Sequence, residues 1–332
     1  MKVLHIGKRG NMEKYSAPDS FLYALERVDM DHGLPAEEYL AEAGDADFLV
    51  ADAIAPVPAA LIDGMPNLRL IHSEGVAFNR IDTEAAARRG VYVCNSQGMN
   101  ATAVAEQTIL LMLGLLRDVA KNDAAVREGR QIAVKEGYMQ RGDLHELADC
   151  AVGLVGFGDI ARATARLLRA HGVETIYYHK RHPLSAEDET ALGVRYLPLE
   201  ELLAQSDIVS LHLPVNENTA GMADEAFFAA MRDGSYFVNT ARGELVDDDA
   251  LIGALVSGKL AMAGLDTLDH EPVQPDHPLL NMPEDIAGKI LFSPHIGGIT
   301  AASFRRSYAM IWEDVRDAAE GRKPRRVVNF VK

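Results

Sequence analysis

The sequence predicts an α/β protein of two doubly wound, parallel-sheet domains. Three observations carry that expectation. The chain has 332 residues, more than one ordinary domain holds and comfortable for two. Short apolar, β-branched runs alternate with helix-length amphipathic stretches, the pattern of a parallel sheet covered on both faces. The alternation occurs twice, with one long apolar stretch between the two passes.

The first pass opens with the strand KVLHIG (2–7), then a helical stretch near 19–28 and a helix at 35–43. The strand FLVA (48–51), a helix opened by Pro58, the strand LRLIHS (68–73), a helix at 82–89 and the strand VYVCN (91–95) complete it. From Asn100, NATAVAEQTILLMLGLLRDVAKN reads as one nearly all-apolar helix begun at an Asn cap. It is flanked by charge and too short for a membrane span, so burial between domains or subunits is expected. The second pass begins with a strand at 151–155 that runs into Gly156-Phe157-Gly158 and an amphipathic helix. Strands follow at 174–178, 207–213, 235–240, 261–265 and 290–293, each after a helical stretch, which makes a second doubly wound unit. A last helix at 300–320 and the tail RRVVNFV end the chain, with no solenoid-period repeat.

Composition narrows the function classes. Hydrophobic residues make up 48% and charged residues 25%, a folded enzyme's balance rather than a disordered chain's. The N-terminal MKVLHIGKRG lacks a cleavage pattern and no apolar run spans a bilayer, so neither secretion nor a membrane partner is expected. Only Cys94 and Cys150 are present, without CxxC or metal-ligand spacing, so no metal is expected and a reducing, cytoplasmic home is. A formal charge of −16 argues against nucleic acid and makes any local group of cations informative.

Gly156-x-Gly158 is the first chemical motif. The first glycine permits a tight turn, and the second lets the backbone approach a pyrophosphate at the helix N-terminus. The usual third glycine is Ala161, an allowed variant, and the strand–turn–helix context is the required one. An NAD site usually carries an acid about 20 residues on. Glu174 satisfies the count but lies at the start of the next strand. At the strand's end stands Tyr178-His179-Lys180-Arg181-His182, with no carboxylate. Arg and Lys suit a 2′-phosphate, which favours NADP(H); a solvated basic turn, with NAD(H) as the cofactor, is the alternative.

Three later segments then become interpretable together: FVNTARGELVDDDAL (237–251), AGLDTLDHEP (263–272) and FSPHIGGIT (292–300). With VGFGDI and HLPVNENT, and with SEGVAFNRID (73–82) and NATAVAE (100–106), they resemble the D-isomer-specific 2-hydroxyacid dehydrogenases over essentially the whole chain. That family includes D-lactate, glyoxylate/hydroxypyruvate and phosphoglycerate dehydrogenases. The resemblance implies hydride transfer from NAD(P)H to a small 2-oxo acid, reversibly giving a D-2-hydroxy acid. It implies that Arg242 binds the substrate carboxylate and polarises the carbonyl, that Glu271 orients His295, and that His295 donates the proton. Each role is chemically apt: a 2-oxo acid needs a bidentate cation, and a neighbouring carboxylate favours the imidazolium form of a proton donor.

The resemblance further implies carboxylate binding by the backbone amides of Val76 and Ala77, in a turn where Ala77 and Asn79 replace the family's usual Gly and Asp. Gln97 stands where the family often has Pro. Glu74 is expected either near that pocket, disfavouring dicarboxylic or phosphorylated substrates, or simply facing solvent. Beside Gly156, Gly158 and the strand-end His179, Lys180 and Arg181, the cofactor-lining positions expected are Asp159, Ile160, Thr219, Ala241 and His295, with Asn100, Thr102, Pro214, Thr240, Asp266 and Gly298 implied by the resemblance. A Rossmann cofactor domain at 100–296 is thereby inserted into a flavodoxin-like substrate domain at 1–99 and 297–332, with the active-site cleft between them. A homodimer through the cofactor domains, using the apolar helix 101–119, is also implied. Two rivals stand beside this: a corepressor-like, dinucleotide-sensing interaction module of the same fold, and a formate-type dehydrogenase. Glu271 and the short N-terminus disfavour the formate branch.

Overall fold

Two all-parallel sheets organise the chain in a computed structural model, which describes residues 1–329. The chain forms two compact units: Met1–Asn100 with Ile299–Lys332, and Ala101–Gly298.

The first unit contains β1 (Lys2–Ile6), β2 (Glu26–Met30), β3 (Phe48–Ala51), β4 (Leu70–Ser73) and β5 (Tyr92–Cys94) in the order β2-β1-β3-β4-β5. This is the flavodoxin-like order expected of a doubly wound sheet whose direction switches beside β1. Every residue of β3 and β4 is buried; β3 reads as a continuous apolar run, whereas β4 buries His72 and Ser73 beside Leu70 and Ile71. The last helix, Ala301–Ala319, covers one face with Tyr308, Ile311, Trp312 and Val315. The tail joins the β5 edge through an antiparallel bridge from Val327 to Cys94 and the amide of Val328 on the carbonyl of Val93. Buried His72 contacts Asp314 at 3.2 Å, and Arg326 reaches the same carboxylate at 3.1 Å.

One expectation fails in this unit. The stretch 19–28 is not helical: Phe21–Ala24 is a short 3-10 turn and Glu26–Met30 is a strand. ERVDM forms the sheet edge with only Met30 fully buried, so its charges give neither an apolar run nor an alternation to read.

The second unit contains β6 (Val152–Val155), β7 (Ile176–His179), β8 (Arg195–Tyr196), β9 (Ile208–Leu211), β10 (Ser235–Asn239), β11 (Leu260–Leu265) and β12 (Ile290–Phe292). Their order is β12-β11-β10-β9-β6-β7-β8, so the strand sequence reverses at β6 as in a Rossmann sheet. Two-residue β8 was too short to leave a signal in the sequence.

The apolar segment after Asn100 also departs from expectation. It is two helices, Ala101–Leu116 and Val119–Arg127, parted at Asp118, whose φ of 45° is left-handed. Asp tolerates that region better than most residues, so the charged pair Arg117-Asp118 ends the helix. Within its own unit, Ala101–Leu116 buries Leu111, Met112 and Leu115 among the residues packed around β6, which accounts for much of its hydrophobicity. A third helix, Gln131–Arg141, buries no residue at all and offered no apolar period to find.

Candidate active site

In the second unit, the motif residues gather at the carboxyl ends of the strands, where doubly wound sheets bind ligands. β6 leads into Gly156-Phe157-Gly158, β7 into Lys180-Arg181, β9 into His212-Leu213-Pro214, β10 into Thr240-Ala241-Arg242, β11 into Asp266 and β12 into Ser293-Pro294-His295.

Gly156 has a φ of 90°, and a Cβ there would lie 2.4 Å from the carbonyl oxygen of His212, so only glycine serves. Gly158 differs: a Cβ there would meet nothing within 4 Å, leaving open space before the helix Asp159–Ala170. A buried turn followed by an unobstructed helix N-terminus suits a pyrophosphate. Asp159 is exposed at the head of that helix, and half-buried Ile160 accepts from Thr164 through its carbonyl.

Tyr178 does not face a ribose site. It is fully buried, packs tilted against Phe157 with ring centroids 4.5 Å apart, and its hydroxyl donates to Glu189. The strand runs one residue further, to His179, whose Nδ1 lies 3.1 Å from the carbonyl oxygen of Leu197 and whose ring stacks on Tyr196. Lys180 is half-buried and Arg181 exposed.

At the end of β10, Arg242 is exposed, and its Nη1 donates to the carbonyl of Ala241 at 2.6 Å. The turn is fixed by Asn239, fully buried, whose Nδ2 donates to the Arg242 carbonyl while its Oδ1 accepts from the Ala241 amide. Asn239 was not singled out from the sequence, although its place at the last position of a strand before TARG was a usable signal.

Glu271 and His295 come together across 24 positions, with Nδ1 of His295 2.5 Å from Oε2 of Glu271. The other Glu271 oxygen accepts from the amide of Leu268 at 3.0 Å, so the carboxylate is held by its own loop. The side chains are 45% and 35% exposed, and Nε2 of His295 makes no hydrogen bond among the described residues. The backbone of His295 is left-handed, with φ 54°.

Asp266 holds that backbone. It is 3% exposed; Oδ1 accepts from the Ile296 amide at 3.1 Å and from the Ser293 hydroxyl, and Oδ2 accepts from the Gly297 amide at 2.9 Å. Gln107 donates to the same Ser293 hydroxyl at 2.9 Å. Both Asp266 oxygens are thus filled from within the chain. Thr240 is also turned inward, its hydroxyl 2.8 Å from that of Thr108. The hydroxyl of Thr219 donates to the carbonyl of Pro214 at 2.7 Å, closing the turn that carries exposed Pro214. Thr102 is exposed and Gly298 half-buried. Arg242 bonds to neither Glu271 nor His295 among the described residues.

In the first unit, the turn after β4 is tied down through its carbonyls. Its carbonyls are engaged one after another: Glu74 by the Ser307 hydroxyl, Gly75 by the Ser96 amide, Val76 by Asn95 Nδ2, Ala77 by the Ser73 hydroxyl and Phe78 by the Ile81 amide. Among the described residues, the amides of Val76 and Ala77 meet no acceptor. Two successive N–H groups without acceptors are the kind of donors an anion takes. Glu74 takes neither expected place: it is 4% exposed, with a carboxylate oxygen 2.9 Å from Nε2 of His5. It is a buried structural acid. Cys94 and Cys150 are buried free thiols, and burial pushes Cys150 up to about 11. Among the described residues no helix is long and apolar enough to cross a membrane, and no group of three His, Cys, Asp or Glu could hold a metal.

Comparison with known proteins places the chain in a family. Residues 109–297 match the model of the D-isomer specific 2-hydroxyacid dehydrogenase NAD binding domain. A glyoxylate reductase of Korarchaeum cryptofilum is 34% identical over 90% of this chain and 88% of its own. A hydroxypyruvate reductase of Thermotoga maritima is 34% identical over 84% of this chain and 86% of its own. The NAD-complexed D-isomer specific 2-hydroxyacid dehydrogenase of Lactobacillus delbrueckii ssp. bulgaricus superposes with a TM-score of 0.83 at 26% identity, covering 99% of this chain and 100% of that one. The chain belongs to the D-isomer specific 2-hydroxyacid dehydrogenase family.

Proposed function

We propose that the protein is a nicotinamide-dependent reductase of a small 2-oxo acid, with glyoxylate and hydroxypyruvate as the first substrates to test. The Glu271–His295 pair carries this reading, because it presents an oriented proton donor at the end of a strand in a dinucleotide-type sheet. The named activities of the relatives support the substrate class. They lend nothing to the alternative of a dinucleotide-sensing interaction module.

The unit Ala101–Gly298 is proposed to hold the cofactor, and the remainder of the chain the substrate. The open helix N-terminus beyond Gly158 fits a pyrophosphate, and Lys180 and Arg181 fit a ribose 2′-phosphate, so NADP(H) is the proposed preference. When bound, the reduced nicotinamide supplies the hydride. His295 donates its Nε2 proton to the carbonyl oxygen of the 2-oxo acid, and Glu271 holds the ring on Nδ1 and stabilises its charge beforehand. Arg242 offers a planar cation to the carboxylate and polarises the carbonyl. The free amides of Val76 and Ala77 are the first unit's own donors for an anion.

Replacing His295 with Ala should cut turnover by about 10²–10⁴-fold with little change in cofactor affinity. The test is oxidation of NADPH and NADH against glyoxylate, hydroxypyruvate, pyruvate, phenylpyruvate and 2-oxoisocaproate. Turnover unchanged by the substitution overturns the assignment of the proton donor. We also propose a cytoplasmic homodimer. Val126, Ile132 and Met139, on the two helices after Asp118, are 55%, 59% and 74% exposed, and a helix that buries nothing in its own chain calls for a partner. Sedimentation as a monomer at micromolar concentration would contradict it.

A further inference from the structure

At the carboxyl end of the substrate-unit sheet, β1, β2 and β4 bring three ionisable groups into one buried cluster. Nδ1 of His5 lies 2.5 Å from Asp29, and Nε2 lies 2.9 Å from Glu74. The hydroxyl of Tyr308, from the last helix, donates to the same Glu74 oxygen and lies 3.4 Å from His5. His5 and Tyr308 are completely buried. Both ring nitrogens of His5 face carboxylates, and only an imidazolium can donate to both. Asp29 is anchored in turn by the Gly10 amide at 2.6 Å. Asp52 follows β3 at the same end of the sheet, and Arg9 faces Asp29, so the cluster is acidic with His5 as its central cation. Gly7 makes room for it, since a Cβ there would lie 2.6 Å from Nε2 of His5.

An ion cluster of this kind is a poor source of stability, because apolar residues of equal volume would fill the space at lower cost. What it does supply is a fixed position for Glu74. That residue is held at four points: its amide on the Ala51 carbonyl, its carbonyl by Ser307, and its carboxylate by His5 and Tyr308. The next residue, Gly75, begins the turn in which the Val76 and Ala77 amides meet no acceptor among the described residues. We propose that His5, Asp29 and Tyr308 are positioning residues that lock Glu74 and thereby set the Val76–Ala77 amides to receive the substrate carboxylate. This rests on the reading of the chain as a 2-oxo acid reductase, and it assigns carboxylate affinity to groups that touch no substrate.

If His5 loses its charge, Glu74 is a buried carboxylate without its counter-ion and must move or take up a proton. The experiment compares the full-length parent with His5→Gln and Tyr308→Phe in two measurements. One is steady-state kinetics with glyoxylate; the other is amide deuterium exchange over 73–82. His5→Gln should raise the glyoxylate KM about tenfold or more while kcat at saturation and the cofactor KM stay within about twofold. Exchange should quicken in 74–80 and stay parental in β3 and β5. Tyr308→Phe, which leaves the ion pair in place, should shift both readouts in the same direction by less, and it carries the test if His5→Gln does not fold. Parental KM with parental exchange overturns the proposal. So does a rise in exchange throughout the unit with kcat and both KM values changing together, since that marks a merely structural role. If the parent reduces no 2-oxo acid, the functional reading fails, and the exchange data still decide whether the cluster holds the turn.

Discussion

Replacing Asp266 with Asn changes one atom at the point where the backbone of His295 is held. The carboxylate now accepts three hydrogen bonds, from Ser293 and Ile296 on one oxygen and from Gly297 on the other, with 3% exposure. An amide has one acceptor oxygen, so its NH₂ must face either the Gly297 amide or the Ile296–Ser293 pair. The Ser293 hydroxyl can rotate and accept instead, but the backbone amides cannot. At least one amide therefore loses a charge-assisted bond worth about 1.5–3 kcal/mol, and a buried donor left without a partner costs about 1–3 kcal/mol. The two figures describe overlapping losses, so the expected destabilisation is about 2–4 kcal/mol. Part of that loss falls on the placement of the loop 293–297 rather than on global unfolding. Urea melts should then show a lower midpoint at unchanged m-value, and kcat with glyoxylate should fall about tenfold or more because His295 is less well aimed. An Asn variant with parental midpoint and kcat within twofold would refute the claim that Asp266 holds the catalytic loop.

Three further outcomes are expected. Glu271→Gln keeps the bond from the Leu268 amide but removes the charge beside Nδ1 of His295, so kcat for reduction should fall at pH 7 while cofactor affinity is kept; a parental rate refutes the pairing. Arg181→Ala should weaken NADPH by about tenfold, or about 1.4 kcal/mol, and leave NADH nearly untouched, as read from kcat/KM for each cofactor; an enzyme that already prefers NADH shows the basic turn to be solvated surface. Burial alone would depress His5, but Asp29 and Glu74 outweigh it and hold the imidazolium up at about 9, against an ordinary 6.5. A pKa raised by folding gives stability that is complete below about pH 6.5 and is lost as pH rises through about 9, so the parent should lose Tm between pH 7 and 10 more steeply than His5→Gln, and equal slopes would contradict it.

The sequence made legible whatever was local and repetitive. FLVA, VGLV and IVSL are four-residue strands buried on both faces, so each announces itself as an apolar run. ERVDM does not, because an edge strand needs no apolar face toward solvent, and its pairing with β1 is specified by main-chain bonds that any residue supplies. The segments proposed as catalytic were legible through the family resemblance, and their placement is consistent with it. Arg242 and His295 each stand three residues beyond a strand end, where short loops present side chains, and Glu271 is placed by its loop six residues past β11. Direction was the hidden quantity. A carboxylate after β11 does not show in sequence that it grips its own chain, as Asp266 does with both oxygens. Glu74 shows the limit most sharply. In a chain of charge −16, an acid beside a glycine carries no mark of burial. Only its counter-ion marks it, and that lies 69 residues upstream, with the tyrosine that completes the cluster 234 residues downstream. His5 and Tyr308 each look like ordinary core residues until the order β2-β1-β3-β4-β5 and the returning helix bring them to one point. A buried charge is therefore a property of topology, and reading it required the fold before the residue.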